Sequence, residues 1–368
     1  MHYRELGDSG VEVSEVGFGA WVVGTDWWGD RSEAEAIEMV EYAIDQGVTY
    51  VDTGDVYGHG RSEELLANVL EDRRDEVTLA TKIGYDFYNN PQAGHGELPK
   101  EMDPDYLREA FEKSLERLGT DYVDVLQLHN ANVSEMSDDV LELLDELEEE
   151  GLIRARGLAL GPSIGWLAEG DFAIEREFDS VQLVWNVFEQ EVGNHFLETI
   201  EETGSATSLI PRVPHSSGIL NEQVTPDTEL DAGDHRGFRP DAWYETGWEK
   251  LDALRFLERA EPRSADESSG RRPREHDGER TMGQASIAWL LSHEPVASVT
   301  PTFRTSDDVD EWAAASDVPP LSDEEAARVA ELYADDFGID REDGMDSLRS
   351  SVDGDDIRSA GLDKLAAD

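Results

Sequence analysis

The chain has 368 residues, and its 30 Lys and Arg against 85 Asp and Glu give a formal net charge of −55 at pH 7. An electrostatic field of that sign repels nucleic-acid phosphates and the anionic surface of a membrane, so the composition argues against both as partners. The sequence contains no cysteine, which excludes disulfides, thiolate metal ligands and a thiolate nucleophile.

The acidic residues are interleaved with apolar positions at helical spacing, so they indicate a charged surface around a folded core. This composition is typical of a salt-rich cytoplasm, where a Debye length of roughly 3 Å in molar salt screens the self-repulsion. The segment from Met1 to Gly10 lacks the basic and apolar regions of a signal peptide, and no apolar run is long enough to span a membrane. We therefore expect a soluble cytoplasmic protein whose oligomeric state the sequence leaves open.

The first predicted element is a β-hairpin, with short strands on either side of the turn residues Asp8-Ser9-Gly10. A regular series of apolar strand segments and amphipathic helices follows. The strand segments are predicted at 15–20, 48–52, 77–82, 123–128, 154–159, 180–184, 208–211 and 296–301. The helices are predicted at 32–46, 61–71, 104–118, 137–150, 164–174 and 192–203, within 247–292, and at 305–315 and 322–334.

Eight strands each followed by a helix are the pattern of a (β/α)8 barrel, here with the hairpin as an N-terminal cap. An open doubly wound sheet is the alternative, and the number of strands disfavours it. Residues 261–280 lack an apolar face, which predicts a flexible solvated insertion. We thus expect one barrel domain over residues 1–334 and an acidic C-terminal extension over 335–368.

Active sites of such barrels form at the C-terminal ends of the strands. At those ends the sequence places Asp52, Tyr57, Lys82 and His129. An ammonium beside a phenol stabilises the tyrosinate, and a carboxylate can hold that ammonium by an ion pair. The set predicts that Tyr57 protonates a carbonyl oxygen while a hydride reaches the carbon, with His129 hydrogen-bonded to the reacting oxygen. Because no side chain supplies a hydride, this chemistry requires a nicotinamide cofactor.

Three segments around these residues resemble the aldo-keto reductase family. They are the signature YVDTGDVYGHGRSE at 50–63, the lysine strand LATKIG at 79–84 and the histidine strand YVDVLQLH at 122–129. The resemblance covers roughly residues 3–334. It implies a (β/α)8 fold, NADPH-linked carbonyl reduction and a catalytic tetrad of Asp52, Tyr57, Lys82 and His129. The net charge would make the chain an acidic, haloarchaeal-type member.

The same resemblance implies cofactor-binding residues in the second half of the chain: Gln182, Arg212, Gly218, Arg304 and Glu311. Gln182 matches a partner of the nicotinamide carboxamide, and Arg304 matches the residue expected to meet the 2′-phosphate of NADP. At the strand-five end Ala159-Leu160 replaces the family's usual Ser-Asn pair, and Asp308 and Trp312 replace its usual Gln and Asn. We expect NADPH as the cofactor, with NADH as the second option.

Arg212 stands where the family usually has an aromatic ring against the nicotinamide. A guanidinium can stack on a planar ring, and its charge would repel the oxidised nicotinamide, so we predict tighter binding of the reduced cofactor. An ion pair between Arg212 and a nearby acid is the alternative.

Trp21, followed by Trp27 and Trp28, is predicted to line the substrate pocket near the barrel mouth, although core packing explains Trp21 nearly as well. The histidines lack metal-ligand spacing, so we expect no metal.

The sequence predicts an NAD(P)H-dependent oxidoreductase that reduces an aldehyde, a ketone or a sugar-like carbonyl. A cofactor-binding sensor or scaffold with little turnover is the alternative, motivated by the altered cofactor positions. The complete tetrad disfavours it, because a pure binder does not need an activated tyrosine. A lyase or isomerase with Lys82 as a Schiff base is disfavoured too, because Asp52 and Tyr57 would keep the amine charged or hydrogen-bonded. The physiological substrate stays open.

Overall fold

A computed structural model describes residues 1–24, 32–90, 98–161, 166–230, 236, 241–258 and 280–339. Its strands form a two-stranded antiparallel hairpin and a seven-stranded parallel sheet. The hairpin consists of β1 (Tyr3–Leu6) and β2 (Val11–Ser14). The sheet consists, in chain order, of β3 (Phe18–Gly19), β4 (Tyr50–Asp52), β5 (Thr78–Ile83), β6 (Val125–His129), β7 (Ala155–Ala159), β8 (Ser180–Val184) and β9 (Ser208–Arg212).

Helices connect the parallel strands and share one hydrophobic core with them. They are α1 (Trp21–Gly24), α2 (Glu33–Asp45), α3 (Arg61–Arg73), α4 (Pro104–Leu118), α5 (Asp138–Glu149), α6 (Leu167–Glu175), α7 (Glu191–Thr203), α8 (Asp241–Ala253), α9 (Met282–Leu291), α10 (Ser306–Ala313) and α11 (Asp323–Ala334). Capping boxes, in which an N-cap Ser or Thr and the third helical residue exchange hydrogen bonds, start α2, α9, α10 and α11. Within the described ranges, none of the helices has the length and hydropathy needed to cross a membrane.

Residues 295–300 connect the two edges of the parallel sheet. On one side, the Leu209 N–H of β9 donates to the Pro295 carbonyl at 2.8 Å. On the other side, the Gly17 N–H before β3 donates to the Val299 carbonyl at 2.9 Å. The first and last strands therefore share one neighbouring segment, which is the closure expected of a (β/α)8 barrel.

The eighth predicted strand, at 296–301, is not a regular strand. Val296 and Thr300 form isolated bridges to β9, and Val299 forms one to Val16. The Ala297 N–H donates to the Leu209 carbonyl at 3.1 Å and the Thr300 N–H to the Pro211 carbonyl at 2.9 Å, but Pro211 has no N–H to return, which interrupts the ladder with β9. The first predicted strand, at 15–20, is likewise reduced to Phe18–Gly19.

The hairpin covers the end of the sheet where the parallel strands begin. Leu6, Val11 and Val13 of the hairpin form a buried apolar cluster with residues of five strands and the closing segment, namely Tyr50, Ala80, Val125, Ala155, Ile210 and Ala297. Side chains alternate between the faces of a strand, so residues two positions further on share this inner face. Those residues include Asp52, Lys82, Gln127 and Arg212. A polar layer thus lies above an apolar floor.

Two boundaries predicted from the sequence, the end of the insertion at residue 280 and the end of the barrel domain at residue 334, do not match the observed packing. Arg280, the last residue of the predicted insertion, is fully buried and donates to the carbonyls of Leu257 and Pro319 and to Glu325. Arg280 is therefore not solvated, and residues 259–279, the rest of the predicted insertion, lie outside the described part of the chain. Phe337 is also buried, 5.8 Å from the Phe188 ring, so the core continues past residue 334. The rest of the predicted extension, from residue 340, lies outside the described residues.

Candidate active site

The carboxyl ends of β4 and β5 bring Asp52 and Lys82 into direct contact. Lys82 is fully buried, and its Nζ donates to Asp52 Oδ2 at 2.6 Å and to the Thr53 carbonyl at 2.6 Å. Burial alone disfavours the ammonium, but the neighbouring Asp52 and Tyr57 outweigh it and raise the pKa of Lys82 above its ordinary value. The side chain is therefore held as a cation at neutral pH.

Tyr57 lies beside this ion pair, in the turn between β4 and α3. Lys82 Nζ is 4.9 Å from the centroid of the Tyr57 ring. The backbone turn is fixed locally, because the Tyr57 N–H donates to the Gly54 carbonyl at 3.1 Å and the Ser62 N–H donates to the Tyr57 carbonyl at 3.1 Å. Its phenol is thus held next to a buried ammonium.

His129 ends β6 and completes the predicted group. Its ring is buried, with its centroid 5.8 Å from that of Tyr57 and 4.8 Å from that of Tyr85. Burial, followed by the positive charges of Lys82 and Arg212, lowers the pKa of His129 well below its usual value. The imidazole is therefore neutral at pH 7. All four predicted tetrad residues meet at one end of the strands.

Two residues of this site were not among the sequence predictions. Gln127 Nε2 donates to Asp52 Oδ1 at 2.7 Å, so both carboxylate oxygens of Asp52 are engaged. A glutamine inside an otherwise apolar strand, two residues before His129, was the available signal. Tyr85 packs edge-on against His129, and its hydroxyl accepts a short hydrogen bond from Asn130 Nδ2. No sequence pattern distinguishes Tyr85 from other loop tyrosines.

Asp55 is a third such residue, buried in the turn before Tyr57. Neither of its carboxylate oxygens has a hydrogen-bond partner within the described ranges. Burial, followed by the charge of Glu63, raises the pKa of Asp55 well above its ordinary value. Glu63 itself is held by Arg117 Nε at 2.7 Å and by the Thr81 hydroxyl at 2.6 Å.

Arg212 ends β9 and reaches the same region from the opposite side. Its Nη2 donates to the Leu160 carbonyl at 2.9 Å, just beyond the end of β7. Burial lowers the pKa of Arg212, against the charges of Tyr57 and Asp52 that raise it. Within the described residues it forms no ion pair, so the alternative of a pairing acid is not observed there.

Gln182, the predicted partner of the nicotinamide carboxamide, has a side-chain donor without an acceptor in the described structure. Gln182 on β8 is buried, and among the described residues its Nε2 has no acceptor. Ser216, in the loop after β9, is buried, and its hydroxyl likewise has no partner within the described ranges. The loop curls through Gly218, whose φ of 96° lies in the left-handed region that glycine adopts readily. These donors fit a polar ligand such as a nicotinamide carboxamide.

At the predicted site for the adenosine half of the cofactor, the acidic side chains Asp308 and Glu311 already accept hydrogen bonds from the protein itself. Asp308 at the start of α10 accepts the backbone N–H groups of Arg304 at 2.8 Å and Thr305 at 3.0 Å. Glu311 accepts the Thr281 hydroxyl at 2.7 Å. Trp312 is buried and packs on His215, with ring centroids 4.2 Å apart. Arg304 and Glu311 thus lie on one segment, although Glu311 already holds an internal partner.

Trp21 lies near the tetrad, with its ring centroid 6.4 Å from that of Tyr57. Its place in the substrate pocket stays a prediction. Trp27 and Trp28 lie outside the described residues. In the described ranges, His, Asp and Glu side chains form no group of three that is able to hold a metal ion.

Comparisons with known proteins identify the family. The model of the aldo/keto reductase family matches residues 15–334. Aldo-keto reductase YhdN of Bacillus subtilis is 30% identical over 250 residues, which are 65% of this chain and 70% of that protein. The NADH-specific methylglyoxal reductase of Escherichia coli is 25% identical over 339 residues, 89% of this chain and 97% of that protein.

A solved structure shows the same fold. The holo form of aldo-keto reductase AKR11C1 from Bacillus halodurans superimposes with a TM-score of 0.69 at 26% identity, covering 90% of this chain and 96% of that one. The chain therefore belongs to the aldo-keto reductase family, as its motifs predicted. Membership supports NAD(P)H-dependent carbonyl reduction in general.

Proposed function

We propose that this protein reduces a small aldehyde, ketone or sugar-like carbonyl with NADPH, or with NADH as the second option, and that Tyr57 is the general acid. The observation that carries the proposal is the fully buried Lys82 ammonium, 2.6 Å from Asp52 and 4.9 Å from the centre of the Tyr57 ring. A cation fixed there stabilises the phenolate that forms when Tyr57 gives up its proton.

The cofactor site rests on the unpartnered donors. Gln182 Nε2 would hold the carboxamide, the loop through Gly218 would approach the phosphates, and Arg304 with Glu311 would face the adenosine half. When bound, the reduced nicotinamide supplies the hydride. The flat face of Arg212 is available to stack on that ring, which would favour the reduced, uncharged form.

The remaining roles belong to the chain itself. Asp52 and Gln127 hold Lys82 in place, since Asp52 accepts from both. His129 is neutral, so it offers a hydrogen bond to the carbonyl oxygen without adding a second charge beside Lys82. Trp21 and Tyr85 flank the Tyr57–His129 pair and would exclude water from it.

Replacement of Tyr57 by phenylalanine tests the proposal. In about molar KCl, Tyr57→Phe should lose at least roughly 100-fold in kcat for NAD(P)H oxidation with a panel of small carbonyls. It should retain cofactor binding by fluorescence titration, because the ring and Lys82 remain. Tyr122→Phe is the control, since the Tyr122 ring lies between Arg74 and Arg154, away from the tetrad.

Unchanged turnover in Tyr57→Phe would remove Tyr57 from the chemistry. Cofactor binding with no turnover of any carbonyl by the wild type would favour the sensor or scaffold, an alternative that the family comparisons do not favour. Titration of both cofactor forms tests the stacking role of Arg212, because equal affinities or tighter binding of the oxidised form would contradict it.

A further inference from the structure

Arg212 lies near the tetrad, but the proposed proton transfer does not use its charge. The side chain begins at the end of β9, and its Nη2 reaches the Leu160 carbonyl, 2.9 Å away beyond the end of β7. β8 lies between these two strands in the sheet. With strands about 4.8 Å apart, the side chain must cross the ring interior above β8 to make this bond.

The Arg212 guanidinium therefore lies near Tyr57 and His129. Its charge acts on His129, and the charges of Tyr57, Asp52 and Tyr85 act on it. Leu160 directly follows Ala159, which is paired in register with His129, so the bond to Leu160 holds the guanidinium at the same end of the strands as His129. This geometry places Arg212 next to the Tyr57–His129 pair.

The cation lacks an internal counter-ion in the described part of the chain. Its one hydrogen bond there goes to a neutral carbonyl, and the neighbouring Glu189 accepts from Asn186 Nδ2 at 2.7 Å. A chain with 85 acidic residues has ample carboxylates with which to neutralise a guanidinium. A half-buried cation that has no counter-ion among the described residues is stabilised when an anionic ligand arrives.

We propose that Arg212 binds a carboxylate of the substrate, and that the reductase acts on 2-oxo acids. The inference rests on the proposed function and names its substrate class. The carboxylate of a 2-oxo acid is bonded to the reacting carbonyl carbon, so it lies beside the oxygen that Tyr57 and His129 hold. The guanidinium donors lie at its edge, which leaves its face free to stack on the nicotinamide.

The reaction remains the reduction proposed above. A hydride with its electron pair adds to the carbonyl carbon, a proton from Tyr57 adds to the oxygen, and the cofactor is oxidised. The carboxylate is unchanged, and the product is a 2-hydroxy acid. Solvent then returns the proton to Tyr57.

Benzoylformate and its neutral amide, benzoylformamide, give a matched test. For the wild type, kcat/KM with the acid should exceed that with the amide by roughly 10- to 100-fold, mostly through KM. Arg212→Gln should lower kcat/KM for the acid by more than it lowers kcat/KM for the amide, and so abolish this preference. Arg212→Lys, which keeps the charge without the planar fork, should retain part of it. Tryptophan fluorescence should show benzoylformate binding to the wild-type cofactor complex and not to that of Arg212→Gln.

The charge-matched control is Arg108→Gln, a surface arginine of α4 that pairs with Glu146 and Glu150. Equal wild-type efficiency with acid and amide would overturn the inference while leaving the reductase intact. Equal losses for both substrates in Arg212→Gln would assign Arg212 to the cofactor alone and would also overturn it. Failure to reduce any carbonyl would instead refute the proposed function. If Arg212→Gln does not fold, the wild-type comparison and Arg212→Lys decide the question.

Discussion

At the scale of single residues, His215 ties the stability of the fold to pH. The ring is buried and packs on Trp312, and its Nε2–H donates a hydrogen bond to the Gly283 carbonyl at 3.2 Å. Burial lowers the pKa of His215 to about 4, despite the opposing bond to Gly283. An unfolded histidine titrates near 6.5, so between these two values the unfolded chain takes up a proton that the folded chain refuses.

The free energy of unfolding should therefore fall as the pH drops from about 6.5 to about 4, by up to roughly 3 kcal/mol from this residue. His215→Phe keeps a ring against Trp312 but removes the titration, so its loss over the same interval should be smaller by that amount. Urea unfolding at several pH values in constant molar KCl measures the difference. His2→Gln is the control, because the His2 side chain is 67% exposed. Parallel pH curves for His215→Phe and the wild type would contradict the prediction.

The residues that the sequence predicted share one property: they follow apolar strands at the end where a barrel places its site. Asp52, Lys82 and His129 have that position, and period-two alternation then turns them inward with Gln127. Asp55 was not predictable, because its burial depends on how the turn folds over Glu63, which one sequence does not specify. The roles of the residues stay predictions until variants are measured.

At the scale of elements, the junction between β3 and the closing segment is closely packed. Gly17 donates its N–H to Val299, and a Cβ at Gly17 would lie 2.5 Å from Tyr50 Cδ1 and 3.0 Å from Ser298 Oγ. The Tyr50 ring is fully buried in the apolar floor and has no room to move. A methyl group at this position would therefore strain the junction.

Gly17→Ala should lower the free energy of unfolding by about 1–3 kcal/mol, as overpacked core positions do. The matched control is Gly19→Ala, where the nearest atom to an added Cβ is the Pro301 carbonyl oxygen at 3.8 Å. Chemical unfolding followed by fluorescence compares the two variants. Equal stability of both would show that the junction is able to relax.

The elements themselves were largely predictable. Apolar periodicity and capping residues placed α4 at 104–118 and β8 at 180–184, as observed. The closing segment was predicted as a full strand, because hydrophobicity does not reveal that Pro211 of the neighbouring strand lacks the N–H that would continue the ladder. Arg280 was predicted as solvated because its partners, Pro319 and Glu325, are distant in sequence.

At the scale of the whole molecule, the net charge of −55 opposes a polyanionic cofactor. The Debye length is about 10 Å at 0.1 M salt and about 3 Å at 1 M, so salt screens this long-range repulsion. Short contacts within the site, such as those of Arg304 or Arg212, are screened far less. The overall field should thus weaken binding in dilute buffer.

Cofactor affinity should accordingly increase as KCl rises from about 0.1 M to about 1 M. Fluorescence titration at each concentration measures the affinity, with circular dichroism as a check that the fold is unchanged. A steep decrease of affinity with salt, at constant folding, would mean that local arginines dominate over the net charge.

The hairpin that covers the beginning of the parallel strands also affects the route by which protons reach Tyr57 from water. Leu6, Val11 and Val13 pack with Tyr50 and Val125 in an apolar cluster, so within the described residues an apolar layer lies between the tetrad and this end of the strands. Each proton that leaves Tyr57 in the proposed cycle must consequently be replaced through the loop side, the same opening through which ligands pass. Reprotonation of Tyr57 is thereby coupled to product release, and slow product release would limit the rate of both.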